Sequence, residues 1–275
     1  MSPLRRAAVL LLVLPVLAVP AAPAAASPGP PPDSIASMGD SITRGFNACG
    51  FYVDCTSRSF ATGDNAAVDS HYLRILAVNP GIAGHNYNHA RSGATAADLP
   101  GQARSVVQRD VDYVTVLIGA NDACADTEAG MTPVSQFRRH VDEALAVLKQ
   151  GLPDAHVLVV SIPDLKRLWQ VGRDNVLARL AWSLLNVCQS MLASPTSTAA
   201  ADEARRDRVR QRVIDYNSEL AAACAAYGPR CRFDGNAVFN YPFTLSQVSG
   251  WDYFHPNAAG QRVLADISYR AGFGW

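Results

Sequence analysis

In the stretch Asp33-Ser34-Ile35-Ala36-Ser37-Met38-Gly39-Asp40-Ser41, a short segment carrying Ile35 and Met38 runs into a glycine, an acid and a hydroxyl. Asp33–Met38 predicts the first strand, and Gly39 permits the tight turn that must follow it. Two later stretches behave alike. Val111–Ile118 is rich in β-branched residues and stops at Gly119, and His156–Ile162 stops at Pro163. Nearly continuous apolar runs of this length predict strands covered on both faces, as in a parallel sheet. Between them Val134, Phe137, Val141, Leu145 and Leu148 recur at helical spacing, with Gly151 and Pro153 ending the helix. Asp174–Leu192, Ala200–Ala226 and Asn257–Tyr269 predict further helices. Strands alternating with helices define an α/β sandwich around a parallel sheet.

Outside this frame, Arg5 and Arg6 precede an apolar run from Ala7 to Val19, and Ala24-Ala25-Ala26 follows. A positive start, a short apolar segment and small residues are the marks of an export signal, so 1–26 is expected to be removed. The run is too short for a stable membrane anchor. Ser27–Pro32 is a Pro-rich lead-in, and with neither a repeat nor a long linker, 27–275 reads as one domain, expected to be monomeric. Hydrophobic residues make up 49% of the chain, enough to bury a core. Basic and acidic residues balance at 24 each, and loss of Arg5 and Arg6 takes the mature chain to about two negative charges. That balance excludes a nucleic-acid binder. The run Arg205–Arg212, interrupted by Asp207, reads as the solvated face of a helix.

All six cysteines, Cys49, Cys55, Cys124, Cys188, Cys224 and Cys231, follow the signal. An even number in an exported chain predicts disulfides. Short spacing favours Cys49–Cys55 and Cys224–Cys231, which leaves Cys124–Cys188. A metal site is disfavoured, because no Cys-x-x-Cys pair exists. His85 and His89 have a zinc-compatible helical spacing, but Gly84, Asn86 and Asn88 argue against a helix there.

The residues that could carry chemistry fall in four places. Ser41 follows a predicted strand, at the carboxyl edge where open α/β sheets bind ligands. His255, in Asp252-Tyr253-Phe254-His255-Pro256, is a base of suitable pKa for a serine hydroxyl, and Asp252 can hold its other ring nitrogen. Gly119-Ala120-Asn121-Asp122 ends the second predicted strand and offers an amide donor. Arg91-Ser92-Gly93-Ala94-Thr95 offers a glycine N–H. Asp40 is expected to bond the backbone of its own turn.

These blocks, in this order, resemble those of the SGNH (GDSL) hydrolase family. Gly39-Asp40-Ser41-x-x-x-Gly45 is similar to its nucleophile block, Gly119-x-Asn121-Asp122 to its asparagine block and Asp252-x-x-His255-Pro256 to its last block. Gly93 stands at the looser glycine block, with Gly84 and Gly101 as alternatives. The resemblance spans almost the whole mature chain. It implies a flavodoxin-like three-layer sandwich with about five parallel strands, and hydrolysis of carboxylic esters without metal or organic cofactor. It implies Ser41 as nucleophile, His255 as base and Asp252 as its orienting acid. The oxyanion would be held by the Ser41 and Gly93 N–H groups and the Asn121 side chain. Some members use a backbone carbonyl in place of the carboxylate, and exported members often carry three disulfides.

Substrate remains open at this level. Leu165, Leu168, Trp169, Val171 and the apolar side of Leu177–Met191 could line an acyl site, which would favour lipid esters, or form a core helix with one exposed aromatic. A carbohydrate acetyl esterase would use the same catalytic groups with a short polar pocket. A catalytically silent glycan- or lipid-binding protein on the same fold is the reading from another class.

Overall fold

The computed structural model describes residues 29–275, so the expected export signal lies outside the described residues. The chain forms β1 (Ile35–Gly39), α1 (His71–Val78), β2 (Asn86–Asn88), α2 (Leu99–Val107), β3 (Tyr113–Leu117), α3 (Ala120–Ala123) and α4 (Val134–Gly151). It continues through β4 (His156–Val159), α5 (Leu165–Gly172), α6 (Val176–Leu184), α7 (Gln189–Leu192) and α8 (Ala200–Tyr227). β5 (Cys231–Phe233), α9 (Ala237–Asn240) and α10 (Ala258–Ala271) complete it. The five strands make one parallel sheet in the order β2-β1-β3-β4-β5.

The three strands legible in the sequence are its centre. Every residue of β1 and β3 is buried, which is why their apolar runs are unbroken. β1 begins two residues later than expected, because the Asp33 N–H and the Ser34 hydroxyl bond the Asp112 carboxylate at 3.0 and 2.9 Å. The edge strands β2 and β5 have three residues each and none fully buried. Half-covered edges of that length leave no apolar run to read.

α2, α4 and α8 pack side by side on one face, and α1 and α10 cover the other. His71 of α1 joins that second layer to the sheet, meeting the Tyr113 hydroxyl at 2.9 Å and the Ser268 hydroxyl at 2.8 Å. Burial pushes its pKa down to about 3, so the ring is neutral near pH 7.

Two helical expectations need correction. Asp174–Leu192 is two helices rather than one. Asn175 caps α6 by accepting from the Ala178 N–H, and left-handed Asn186 and Cys188 break the chain before α7. The break at Cys188 coincides with its bond to Cys124. The run Arg205–Arg212 is only partly a solvated face. Arg206 is fully buried, with its guanidinium 4.3 Å from the Trp169 ring centre and bonded to the Ser197 carbonyl and Glu203. These three polar and aromatic partners compensate a charge that burial alone would penalise.

The three disulfides are Cys49–Cys55, Cys124–Cys188 and Cys224–Cys231. The middle one spans 64 residues and ties the end of α3 to the start of α7. Chain-entropy arguments give a loop of this length about 4 kcal/mol. Replacing both Cys124 and Cys188 by serine is therefore expected to lower the free energy of urea unfolding by about 4 kcal/mol, twice the loss from either short loop. Equal losses from all three would contradict that ranking.

Candidate active site

β1 hands the chain to Ser41 through a glycine that no other residue could replace. Gly39 has φ +149°, and a Cβ there would stand 2.2 Å from the Leu117 carbonyl oxygen of β3. Its N–H donates to Gln102 Oε1 at 2.7 Å and its carbonyl accepts from Gln102 Nε2 at 2.9 Å, so α2 clamps the turn. The next residue, Asp40, is fully buried, and its Oδ1 accepts from the Ile42 N–H at 2.9 Å. This is the turn-bonding role the sequence suggests.

Burial pushes the Asp40 carboxyl up to about 7, against the lowering effect of the Ile42 N–H and nearby His255. The native state therefore holds a proton that the unfolded chain releases above about pH 4. Stability from this group is full below the unfolded value of 3.8 and is lost as pH rises through about 7. Between about pH 4 and pH 8, Asp40→Asn is expected to gain roughly 4 kcal/mol relative to the parent, read from urea midpoints. Parallel stability curves for the two proteins would contradict the burial effect.

Ser41 Oγ lies 2.7 Å from His255 Nε2, and His255 Nδ1 lies 2.5 Å from Asp252 Oδ2. These groups come from opposite ends of the chain, and each is fixed by its own loop. Asp252 is buried, and its Oδ1 accepts from the N–H groups of Phe254 and His255 at 3.0 and 3.1 Å. Tyr253 takes a left-handed φ of 52°, which folds the three-residue step from Asp252 to His255 into one turn. Below the turn, the Ser249 N–H donates to the His255 carbonyl at 2.8 Å. From the side, Trp182 Nε1 of α6 donates to the Tyr253 carbonyl at 2.9 Å. Phe46 and Phe254 stand edge-on to the imidazole, with ring centres 4.9 and 5.1 Å away.

Sequence reasoning missed Asn47. It is buried with φ 66°, and its Nδ2 donates to Asp252 Oδ2 at 2.7 Å. The carboxylate oxygen facing the imidazole is thus held from a second direction. A lone asparagine eight residues after Gly39 gives no periodic or motif signal, so only the fold discloses the contact.

The glycine and asparagine blocks meet at the carboxyl ends of β1 and β3, the central pair of the sheet. That is where the strand order reverses and where ligands of such sheets bind. Asn121 Nδ2 donates to the Ala94 carbonyl at 2.8 Å, and Asp122 Oδ2 accepts from the Ala96 N–H at 2.9 Å. Two adjacent side chains of α3 thereby hold the 93–96 segment. Burial raises the pKa of the Asp122 carboxyl. On the other side Ser92 donates to Asp54 at 2.5 Å, and Asp54 also receives Arg44 at 2.9 Å, so the Ser41 turn and the glycine loop share one carboxylate.

Gly93 has φ +81°, and a Cβ there would meet open space. Among the described residues, the N–H groups of Ser41 and Gly93 have no protein acceptor. The other two glycines lie elsewhere. Gly84 precedes β2 at the amino end of the sheet, with its N–H on the Tyr72 hydroxyl, and Gly101 is inside α2.

Beside the serine runs an apolar cleft lined by Ile42, Leu165, Leu168, Phe243 and Phe254, with Asp164 and Gln247 at its polar margin. Leu165 and Leu168 thus line the cleft as the sequence allows. Trp169 does not: it is buried in the core and donates to the Pro195 carbonyl at 2.8 Å. His85 and His89 flank strand β2, and an extended chain separates residues four apart by roughly 13 Å, too far for one metal ion.

A sequence profile of the GDSL-like lipase/acylhydrolase family matches residues 35–267. Human membrane-associated phospholipase B1 is 29% identical over 178 residues, covering 54% of this chain but only 12% of its own length. The mouse protein of the same name is 27% identical over 166 residues, covering 50% of this chain and 11% of its own length. The chain therefore spans about an eighth of these relatives. A mutant acetyl-xylooligosaccharide esterase of Geobacillus superposes with a TM-score of 0.52 at 15% identity, covering 88% of this chain and 94% of the other. A carbohydrate esterase family 2 enzyme of Corynascus, solved with its carbohydrate-binding domain, gives 0.51 at 18% identity, covering 94% and 69%. At such identities these two establish the shared fold. With its profile matched from β1 to within α10, the chain belongs to the GDSL-like lipase/acylhydrolase family.

Proposed function

We propose that the protein is a secreted serine esterase that cleaves lipid or small acyl esters through an acyl-enzyme on Ser41. The observation that carries this reading is the continuous chain of contacts from Ser41 Oγ to His255 Nε2 and from His255 Nδ1 to Asp252. A serine hydroxyl becomes a nucleophile when a base takes its proton as it attacks. His255 Nε2 receives that proton, Ser41 Oγ bonds to the ester carbonyl carbon, and the carbonyl oxygen becomes an oxyanion. His255 then gives the proton to the leaving alkoxide, which departs as the alcohol. A water molecule, deprotonated by the same nitrogen, attacks the acyl-enzyme and releases the carboxylic acid and free Ser41. Asp252 keeps the imidazole in the correct tautomer and stabilises it when charged. No metal or organic cofactor enters these steps.

The oxyanion is assigned to the N–H groups of Ser41 and Gly93 and the Asn121 amide. Support comes from the unpartnered N–H groups and from the Ala94 contact, which occupies one amide hydrogen of Asn121 and leaves the second. Asn121→Ala is expected to lower kcat by about 10²–10³-fold, roughly 3–4 kcal/mol, with KM nearly unchanged, because the donor acts on charge that exists only in the transition state. A loss confined to KM would remove Asn121 from that role.

The apolar walls of the cleft support a short acyl chain over a bare acetyl group. Release from p-nitrophenyl acetate through p-nitrophenyl palmitate tests this. The reading expects rates that rise beyond acetate, and a profile falling steeply after acetate would favour the carbohydrate deacetylase. The three disulfides support secretion into an oxidising medium. All proposed catalytic groups come from one chain, which supports a functional monomer.

A further inference from the structure

The loop that carries Asp252 and His255 is flanked by apolar side chains that the fold leaves uncovered. On α6, Val176, Leu177, Leu180 and Leu184 form a single stripe and are each more than half exposed, while Ala178 and Trp182 fill the opposite, buried side. A second cluster, Phe51 and Trp251, is likewise more than half exposed. Ordinary exposed apolar residues are scattered singly, whereas grouped ones mark a surface that something covers.

Both clusters are attached to the loop that carries Asp252 and His255. Trp182 of α6 donates to the Tyr253 carbonyl at 2.9 Å. Trp251 Nε1 donates to the Gly50 carbonyl at 2.8 Å, which seats it beside Phe51. Tyr52, next in the chain, stacks edge-on against Phe46, and Phe46 against His255. The stripe follows the cleft along the chain: Leu165 and Leu168 on α5 line the cleft, and three residues separate the end of α5 at Gly172 from the start of α6 at Val176.

The charge around the stripe selects its partner. Of the four basic side chains in residues 165–185, Lys166 pairs with Asp207 and Arg173 with Asp174, which leaves Arg167 and Arg179 without a carboxylate partner among the described residues. Arg179 rises from α6 itself, and one of its nitrogens donates to the Arg173 carbonyl at 3.0 Å, with no carboxylate within ion-pair distance among the described residues. A helix with leucines on one side, arginine at its flank and aromatic residues nearby suits the boundary of an anionic bilayer, where apolar side chains enter the acyl region and guanidinium groups meet phosphate.

We infer that the α6 stripe and the Phe51–Trp251 cluster dock the protein on an anionic phospholipid surface, holding the Ser41 cleft against the membrane from which its ester substrate is drawn. The inference deepens the esterase reading and rests on it.

The test separates docking from chemistry. Binding is measured by co-sedimentation of Ser41→Ala protein with phosphatidylcholine vesicles, alone or with about 30% phosphatidylglycerol. Binding is expected to be stronger to the mixed vesicles, and salt should remove that difference. Adding Leu177→Ser, Leu180→Ser and Leu184→Ser should weaken binding about tenfold or more, since each change withdraws apolar area from the bilayer. The same three changes in the Ser41 protein should leave turnover of soluble p-nitrophenyl acetate within about twofold, which also reports that the fold is intact. Equal vesicle binding with and without the three changes, or no binding to either vesicle, would overturn the inference. So would self-association in sedimentation velocity that the three changes abolish without any vesicle binding, because the stripe would then face a second copy. A Ser41→Ala protein that still hydrolyses the soluble ester would instead remove the esterase reading, whatever the vesicles report.

Discussion

Ser41→Ala is expected to lower kcat/KM for a soluble p-nitrophenyl ester by about 10⁴-fold or more, while the urea midpoint hardly moves. The substitution removes one oxygen from a small side chain and keeps the turn, since Gly39, Asp40 and Gln102 hold it independently. The magnitude discriminates between mechanisms. Without its nucleophile, such a site keeps only the help of its oxyanion donors and substrate binding, a residual of about 10³–10⁴ over water. A fall of only tenfold would mean that another group or a His255-activated water performs the attack. His255→Ala should cost about as much as Ser41→Ala, and the double variant scarcely more, because the two act as a unit. Losses that multiply would contradict their coupling.

Asp252→Asn is expected to reduce kcat by about 10³–10⁴-fold with little change in KM. The carboxylate accepts from His255 Nδ1 at 2.5 Å and from Asn47 Nδ2 at 2.7 Å through the same oxygen. An amide has one oxygen and one NH₂ group, so with its oxygen toward the ring and Asn47 the NH₂ meets the Phe254 and His255 N–H groups, which lose their acceptor. Turned toward the ring, the NH₂ favours the wrong tautomer and leaves Nε2 protonated. The family resemblance allows a backbone carbonyl to orient the histidine instead. In that case Asp252→Asn would slow the enzyme only a few-fold, and steady-state rates on one soluble ester distinguish the two outcomes.

The centre of this fold was legible and its margins were not, for physical reasons. β1, β3 and β4 are buried on both sides and announce themselves as apolar runs. α4 buries one face and keeps the regular spacing of Phe137, Val141, Leu145 and Leu148. β2 and β5 offer three residues each, none fully buried, and no pattern distinguishes them from loops. The break before α7 depends on a left-handed Cys188 joined to Cys124, a tertiary constraint that overrides a helical pattern. Arg206 was misread because local charge density suggested solvent, whereas Trp169, distant in the chain, and the Ser197 carbonyl bury it.

The candidate site divides along the same line. Ser41, Asn121 and His255 follow strands or precede helices within recognisable blocks, so order along the chain was enough to propose them. That they meet depends on the parallel crossover bringing the ends of β1 and β3 together. Asn47 and Asp54 could not be read, since each acts through side-chain contacts that only the folded chain brings together, Asn47 to Asp252 and Asp54 to Ser92 and Arg44. The uncovered stripe of α6 was likewise hidden. From the sequence its leucines fit either an acyl site or a core helix, whereas the structure places Trp182 inward and Leu180 and Leu184 outward.

The most direct test of the central claim is covalent capture. An alkyl fluorophosphonate reacts with an activated serine by forming an oxygen–phosphorus bond and expelling fluoride. Mass spectrometry of the digested protein is expected to find a single adduct on the peptide containing Ser41, formed in parallel with loss of esterase activity and absent after His255→Ala. An adduct on another residue, or full ester turnover by protein labelled at Ser41, would contradict the assignment of Ser41 as nucleophile.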